Sequence, residues 1–262
     1  MYEKIEVLNG QGHIALVDKM GNDRSVVNAA RVSYNNDEYN DVPADVAAAF
    51  KKPRRTKEED EKLLRYLLTN RHTSPFEHVQ FSFEVSAPIF VFRQWHRHRT
   101  WSYNEISARY TELPENFYIP TPDDIGVQHK SNKQMREILT LNHGDRIERK
   151  IQIESYEIAC KQAFRVYSDL IASDWPRELA RAVLPVATFS RMVATVDLHN
   201  LMGFLRLRLH SHAQKEIQVY AVAMLQFMRQ IVPVTKAIFL DSLEGQKGYE
   251  HVDTGKTRII QS

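Results

Sequence analysis

Apolar residues occupy every second position after Pro75, at Val79, Phe81, Phe83 and Val85. A period of two makes a strand with one buried face, because successive side chains point to opposite sides. On the N-terminal side, Leu63, Leu64, Leu67 and Leu68 recur at helical spacing behind the capping pair Thr56 and Glu59, which predicts a helix over 57–70. On the other side Pro88 opens an apolar-faced helix over 89–98 that sets Arg93 and Arg97 one turn apart. Such switching between periods specifies mixed helix and sheet. Ile5 and Val7, the turn Asn9-Gly10, then Ile14 and Leu16 predict a hairpin over 3–18, followed by a helix over 23–34. The C-terminal half reads as mainly helical: 132–172 with a break near Gly144, 176–184, a strand over 189–196, then 200–209, 214–232 and 234–243. Ile217, Tyr220, Ala221, Met224, Met228 and Ile231 form a regular stripe that belongs to the core or to a subunit interface.

With 262 residues and 43% hydrophobic content, the chain can bury a sizeable core as one large domain or two small ones. Its 35 basic residues nearly balance 33 acidic ones. That is too little excess charge for a general nucleic-acid binder, although a local basic patch fits. Cys160 is the single cysteine, so no internal disulfide forms and a reducing compartment is expected. No signal-peptide pattern opens the chain and no apolar run reaches membrane length, so a cytoplasmic protein with no membrane partner is expected. The polar stretch 35–55, with Pro43 and Pro53, reads as a surface excursion holding at most a short helix at 44–50. Gly10-Gln-Gly12-His-Ile-Ala15 imitates a dinucleotide fingerprint, but a second strand follows it where a helix is needed, so it reads as a hairpin turn. The pairs His96/His98 and His210/His212 lie at helix ends, where a two-residue spacing does not ligate from one side, and no metal is expected.

Residues 97–110 place three arginines, a histidine, a glutamate and two serines within fourteen positions. So many charged and hydrogen-bonding groups make a poor core. Arginine offers five donors in a planar fork suited to phosphate and carboxylate, so the cluster points to an anionic ligand. In an extended segment Glu105, Ser107 and Arg109 would project to one side. Arg208 follows Leu201, Phe204 and Leu205 at helical spacing and so lies on an inward face. A charge buried there costs on the order of several kcal/mol unless it is paired, which calls for an anionic or strongly accepting partner. Cys160, with Ala159, Ala163 and Phe164 around it, reads as a small buried residue and a poor nucleophile. Three readings stand at this point: an enzyme acting on an anionic ligand, a nucleic-acid or nucleotide-binding module using Arg93, Arg97, Arg99 and Arg109 as a phosphate patch with Trp95 and Trp101 for stacking, or a structural oligomer with interface ion pairs, which leaves the polar density of 97–110 without a purpose.

The block Arg97-His-Arg-x-x-Ser-x-Asn-Glu-x-Ser-x-Arg-Tyr110 resembles, without a mismatch, the signature of the flavin-dependent thymidylate synthases. Further similarity runs through Met20-Gly-Asn-Asp23, Ala29-Ala-Arg-Val-Ser33, His72-Thr-Ser-Pro-Phe-Glu-His78, Ala87-Pro-Ile-Phe90, Arg93-Gln-Trp95, Arg177-Glu, Arg181-x-Val-Leu-Pro185, Phe204-Leu-x-Leu-Arg208 and Ser211-His-Ala-Gln214. It covers the chain from about Ile14 to Val232. The resemblance implies an α/β (α+β) fold with a central, mostly antiparallel sheet flanked by helices and a helical C-terminal half. It also implies one domain over 1–262, with the excursion at 35–55 and a tail from 245 to 262, in a homotetramer with active sites at subunit junctions. The activity implied is reductive methylation of dUMP to dTMP, with methylenetetrahydrofolate as carbon donor and NADPH as reductant through FAD.

Carried over by position, Arg208 resembles the arginine that polarises the uracil ring. Gln94, Trp95, His96, Arg97, Glu105, Ile106, Ser107, Ala108, Arg109, Arg181 and Arg208 resemble the dUMP-binding set, with Ser107 and Arg109 near the phosphate. Ser74, Arg97, His98, Arg99, Thr100, Glu105, Asp197, Leu198, His199 and Gly203 resemble positions that touch FAD, and His72 a neighbour on the folate side of the flavin. Two departures stand out. Asp197-Leu-His199 replaces an asparagine and an arginine that flank one residue in many members, and Gly203 replaces a residue that is often polar.

Overall fold

At the first turn Leu8, Asn9 and Gly10 all take positive φ, at 54°, 56° and 81°, and the Gln11 amide closes the loop on the Leu8 carbonyl at 3.1 Å. The hairpin β1 (Lys4–Val7) and β2 (Gly12–Met20) follows, antiparallel, with Lys4 opposite Ala15 and Val7 opposite Gly12. These coordinates come from a computed structural model that describes residues 4–33, 56–133, 135–250 and 252. The excursion 35–55, its short helix at 44–50 and most of the tail lie outside the described residues. The remaining strands are β3 (Gln80–Pro88), β4 (Ser102–Glu105), β5 (Val127–Gln128), β6 (Arg136–Glu137) and β7 (Phe189–Asp197). Five of the seven described strands form a sheet in the order β1-β2-β3-β7-β4, while β5 and β6 pair antiparallel by themselves. β3 and β7 run in opposite directions, since the Ile89 amide meets the Thr188 carbonyl at one end and the Leu198 amide meets the Val79 carbonyl at the other. The expected alternation holds, with Phe81, Phe83, Val85 and Ala87 all fully buried.

Helices α1 (Asp23–Val32), α2 (Lys57–Thr69), α3 (Ile89–Trp95), α4 (Pro122–Ile125) and α5 (His143–Ala172) come first in the chain. Then follow α6 (Arg177–Ala180), α7 (Leu198–Arg208), α8 (Lys215–Ile231) and α9 (Pro233–Asp241). The fold is thus mixed α/β with an antiparallel sheet. It divides into two compact units: one built from the described parts of 1–15, 83–194 and 212–220, the other from those of 16–82, 195–211 and 221–262. In the first unit Phe117, Cys160, Phe164, Tyr167, Ala180 and Ala187 form an apolar cluster, each of the larger members contributing about 1.5–3 kcal/mol by burial. Gly12 belongs here too, because a Cβ in its place would stand 2.3 Å from the Tyr220 hydroxyl that donates to the Ser86 carbonyl. In the second unit α1 packs on a 3-10 turn at Ser74–His78 and α2 packs on α9. The Asp23 carboxylate accepts the amides of Val234 and Thr235, both at 2.9 Å, and so caps α9 from a distant part of the chain.

Several boundaries depart from the sequence reading, each for a visible reason. The helix expected over 89–98 ends at Trp95, because the single O–H of Tyr103 is shared between the His98 carbonyl at 2.8 Å and the Trp95 carbonyl at 3.1 Å and stabilises a turn there. Arg97 therefore lies off the helix that carries Arg93. The helix expected from 132 begins at His143, where the Asn142 side chain and Asp145 cap each other, and Gly144 does not break it. β6 occupies part of the intervening segment. The span 176–184 splits into α6 and a 3-10 turn at Arg181–Val183, and α7 starts two residues early because Asp197 caps it. Finally, β4 ends at Glu105, and the Ser107 carbonyl accepts the amides of both Tyr110 and Thr111. Ser107 and Arg109 are therefore in a turn, not on one extended strand with Glu105.

Candidate active site

In the first unit the motif block rests on an aromatic bed. Trp95 is fully buried and meets Trp101 and Tyr220 edge-on, with ring centroids 5.9 and 5.7 Å apart. The His96 ring stacks on Phe92 and abuts Tyr103 at 4.8 Å. Held from beneath, the turn after α3 leaves Arg97, Arg99 and Thr100 exposed and His98 half-buried. Beside it the half-buried Gln94 donates through its side-chain amide to the Gln214 side-chain oxygen, just ahead of α8. Glu105 Oε1 accepts from the Ser190 hydroxyl at 2.6 Å, and its other oxygen lies 4.0 Å from His96 Nε2. The Ile106 amide is tied to the Arg191 carbonyl at 2.8 Å, and Ala108 is buried, so these two neighbours anchor the segment.

A second group gathers around α6. Ser107 Oγ accepts the Arg109 amide at 3.3 Å, Arg109 Nε lies 3.5 Å from the Glu178 carboxylate, and Arg181 Nε donates to the Glu178 carbonyl at 3.4 Å. Glu178 thus braces two of the predicted arginines. Glu178 and Ser190 were absent from the predicted site, and so was Gln214. Glu178 and Gln214 do fall in blocks that carry the family resemblance, but nothing local in sequence signals the contacts they make.

The second unit contains the other predicted residues. A pocket of about 670 Å³ opens beside α2, the 3-10 turn, α7 and α9, with His72, Thr73, His199, Gly203 and Arg206 on its walls. Ser74 is exposed at the start of the 3-10 turn. Asp197 spends its carboxylate on the cap of α7, accepting the Asn200 amide at 2.8 Å and the Asn200 side chain at 2.6 Å. Leu198 is fully buried. Arg208, the last residue of α7, is half-buried above Leu201, Phe204 and Leu205, which are fully buried, and burial pulls its guanidinium below the ordinary pKa. It remains cationic at any working pH. Cys160 is buried, and desolvation pushes its thiol up, away from the thiolate a nucleophile needs.

The charge pattern shows what such a surface can hold. Arg109 and Arg177 have Glu178 and Glu112 as partners, whereas Arg93, Arg97 and Arg99 are exposed and pair with no carboxylate among the described residues. A rigid turn presenting unneutralised guanidinium groups beside amide and hydroxyl donors is suited to an anionic ligand with a polar ring. No group of three or more histidine, cysteine or acidic side chains among the described residues could hold a metal ion. No helix there is long and apolar enough to cross a membrane.

Comparison with known proteins gives these features a family. The family model described as "Thymidylate synthase complementing protein" matches residues 15–234, running through both units. Over 241 residues the chain is 42% identical to a flavin-dependent thymidylate synthase of Treponema denticola, covering 91% of this chain and 82% of the relative. A flavin-dependent thymidylate synthase of Thermotoga neapolitana is 40% identical over 90% of this chain and 94% of its own. Among solved structures, the UMP/dUMP methylase PolB from Streptomyces cacaoi, bound with 5-Br dUMP, superposes with a TM-score of 0.76 at 35% identity, over 91% of this chain and 96% of that chain. With most of its length matched and its signature block intact on an exposed cationic turn, the chain belongs to the flavin-dependent thymidylate synthases.

Proposed function

We propose that the protein converts dUMP to dTMP by reductive methylation, taking the carbon from methylenetetrahydrofolate and the electrons from NADPH through FAD. The observation that carries this reading is the turn 97–110, whose exposed Arg97 and Arg99 lack carboxylate partners among the described residues while Gln94, Glu105 and Arg109 are each held by a neighbour. Held donors cost little reorganisation when a ligand arrives, which favours charge stabilisation in the reaction. Ser107, Arg109 and Arg181 take the phosphate of dUMP, and Gln94, Arg97 and Glu105 take the nucleoside. Trp95, His96, Ile106 and Ala108 complete that wall, Trp95 and Ala108 as buried supports. Arg208 draws electron density toward the uracil oxygens, so that negative charge on the ring is steadied as the ring carbon becomes nucleophilic. No enzyme thiol is required, which agrees with the buried, protonated state of Cys160.

The 670 Å³ pocket of the second unit suits a flavin dinucleotide: its arginines and histidines match a diphosphate, and a Cβ built on Gly203 meets nothing within 4 Å. His72, Ser74, His199 and Gly203 would hold the group there, with Asp197 and Leu198 fixing the end of α7, and Arg97, His98, Arg99, Thr100 and Glu105 as the motif's own contacts. Flavin bound in this way supplies the hydride that completes the methyl group. His72 stands on the folate side. The same proposal includes a homotetramer with active sites at subunit junctions, a cytoplasmic location, and a single functional domain made from both units. To test it, purified protein is supplied with FAD and NADPH, and dTMP formation is measured with dUMP or folate omitted in turn. Product that requires both substrates is expected. NADPH oxidation without folate-dependent dTMP refutes the synthase reading, and tight, salt-sensitive binding of RNA or DNA without turnover favours the nucleic-acid module instead.

A further inference from the structure

We propose that Arg71 is a phosphate ligand of the second unit's pocket, a role outside the residues that carry the family signature. The inference rests on the reading of that pocket as the flavin site. It begins with a backbone conformation. Helix α2 ends at Thr69, Asn70 caps it, and Arg71 follows with φ at +56°. The Arg71 amide donates to the Leu68 carbonyl at 3.3 Å and the His72 amide to the Leu67 carbonyl at 2.9 Å, the pair of bonds that closes a helix through a left-handed residue. Glycine, or failing that asparagine, is favoured at such a position, because a β-carbon there crowds the following carbonyl. The chain instead places a long cationic side chain at this point, and that residue lines the pocket.

The other arginines on the same walls are already engaged. Arg65 lies 3.0 Å from Asp241 and 3.5 Å from Glu61. Arg206 donates to the Ser242 hydroxyl at 3.4 Å and covers the Phe239 ring at 5.5 Å. Arg71 has no carboxylate, hydroxyl or ring partner among the described residues, although it is exposed beside His72 and Thr73. Backbone strain at a ligand pocket persists where the side chain it displays is used. A guanidinium fork with open donors, at the mouth of a pocket that also presents His199 and Arg206, fits a phosphate ester, and here that is the diphosphate of the flavin dinucleotide.

The strained position separates binding from folding, because glycine or asparagine at 71 suits the backbone better than arginine does. Flavin-stripped wild type, Arg71→Gly and Arg71→Asn are titrated with FAD, FMN, riboflavin and NADPH by fluorescence, and each is unfolded in urea without flavin. Both variants are expected to bind FAD and FMN about 10- to 100-fold more weakly, as loss of a charge-assisted hydrogen bond predicts, and riboflavin within about twofold of wild type. Their unfolding midpoints should equal or exceed that of wild type. Unchanged FAD affinity in both variants overturns the proposal, as does an equal loss for riboflavin or a fall in stability that explains the weaker binding. A loss confined to NADPH overturns the assignment to the flavin phosphates. Wild type that takes up no flavin sinks the reading of the pocket itself, a result distinct from the others.

Discussion

Glu216 stands in the first turn of α8, 2% exposed, with Oε1 held by Arg136 at 2.9 Å and by the Tyr118 hydroxyl at 3.3 Å, and with Oε2 lacking a hydrogen-bond partner among the described residues. Arg136, on β6, is the main counter-charge. Replacing it by methionine keeps much of the stem's volume and removes the charge. At an effective dielectric of about 20, charge centres about 4 Å apart attract by about 4 kcal/mol. Breaking one side of a buried pair costs about 3–5 kcal/mol, which agrees. With a urea slope of about 3 kcal/mol per M, Arg136→Met should lower the unfolding midpoint by about 1–2 M. The decisive arm is a second substitution. Glu216→Gln keeps an acceptor for Tyr118 and removes the stranded charge, so Arg136→Met with Glu216→Gln should be more stable than Arg136→Met by about 2 kcal/mol or more. If the double variant is no more stable than the single one, or if Arg136→Met costs under about 1 kcal/mol, the pair is not the buried interaction described here.

Arg208→Ala should keep the fold, since the three apolar residues of its face remain buried, yet lower turnover by about 10²–10³, the range for removing one stabilising donor. Far-ultraviolet dichroism with a dTMP assay checks this, and a folded variant with near-normal turnover refutes the role. Gly248 has φ at +98° and a Cβ there would sit 2.3 Å from His210 Nε2, so Gly248→Ala should lose about 1–3 kcal/mol in urea unfolding; equal stability sinks the argument. Burial raises the Asp124 carboxyl, but Lys215 and the Thr121 hydroxyl and amide outweigh it and hold the group below its ordinary value of 3.8. Its contribution is therefore complete above about pH 4 and is lost as pH falls through the folded-state value, so Asp124→Asn should flatten the acid loss of stability below about pH 4. Parallel wild-type and variant curves across that window would contradict this.

The residues that were legible in sequence are those whose determinants lie within a few positions of one another. Thr56 and Glu59 cap α2 reciprocally, Asn9-Gly10 turns the first hairpin, and the alternation through Phe81 and Phe83 buries one face of β3. Asn142 and Asp145 carry a similar local signal for the start of α5, and reading it would have shortened that helix correctly. The end of α3 is different, because the hydroxyl that stabilises the turn after it belongs to Tyr103 on another element. The candidate site divides in the same way. Its residue types were visible in the block 97–110, since guanidinium forks beside hydroxyls have few structural uses. Which of those arginines is neutralised by the protein was not visible. Arg109 and Arg97 are alike in sequence, as are Arg65 and Arg71, yet Glu178 and Asp241 reach one member of each pair from distant parts of the chain. A carboxylate that arrives through the fold fixes an arginine in place, as Glu178 does for Arg109 on the phosphate side of the proposed site. An arginine that no described carboxylate reaches keeps its full field for a ligand, and so which charges are neutralised is settled in three dimensions rather than by spacing along the chain.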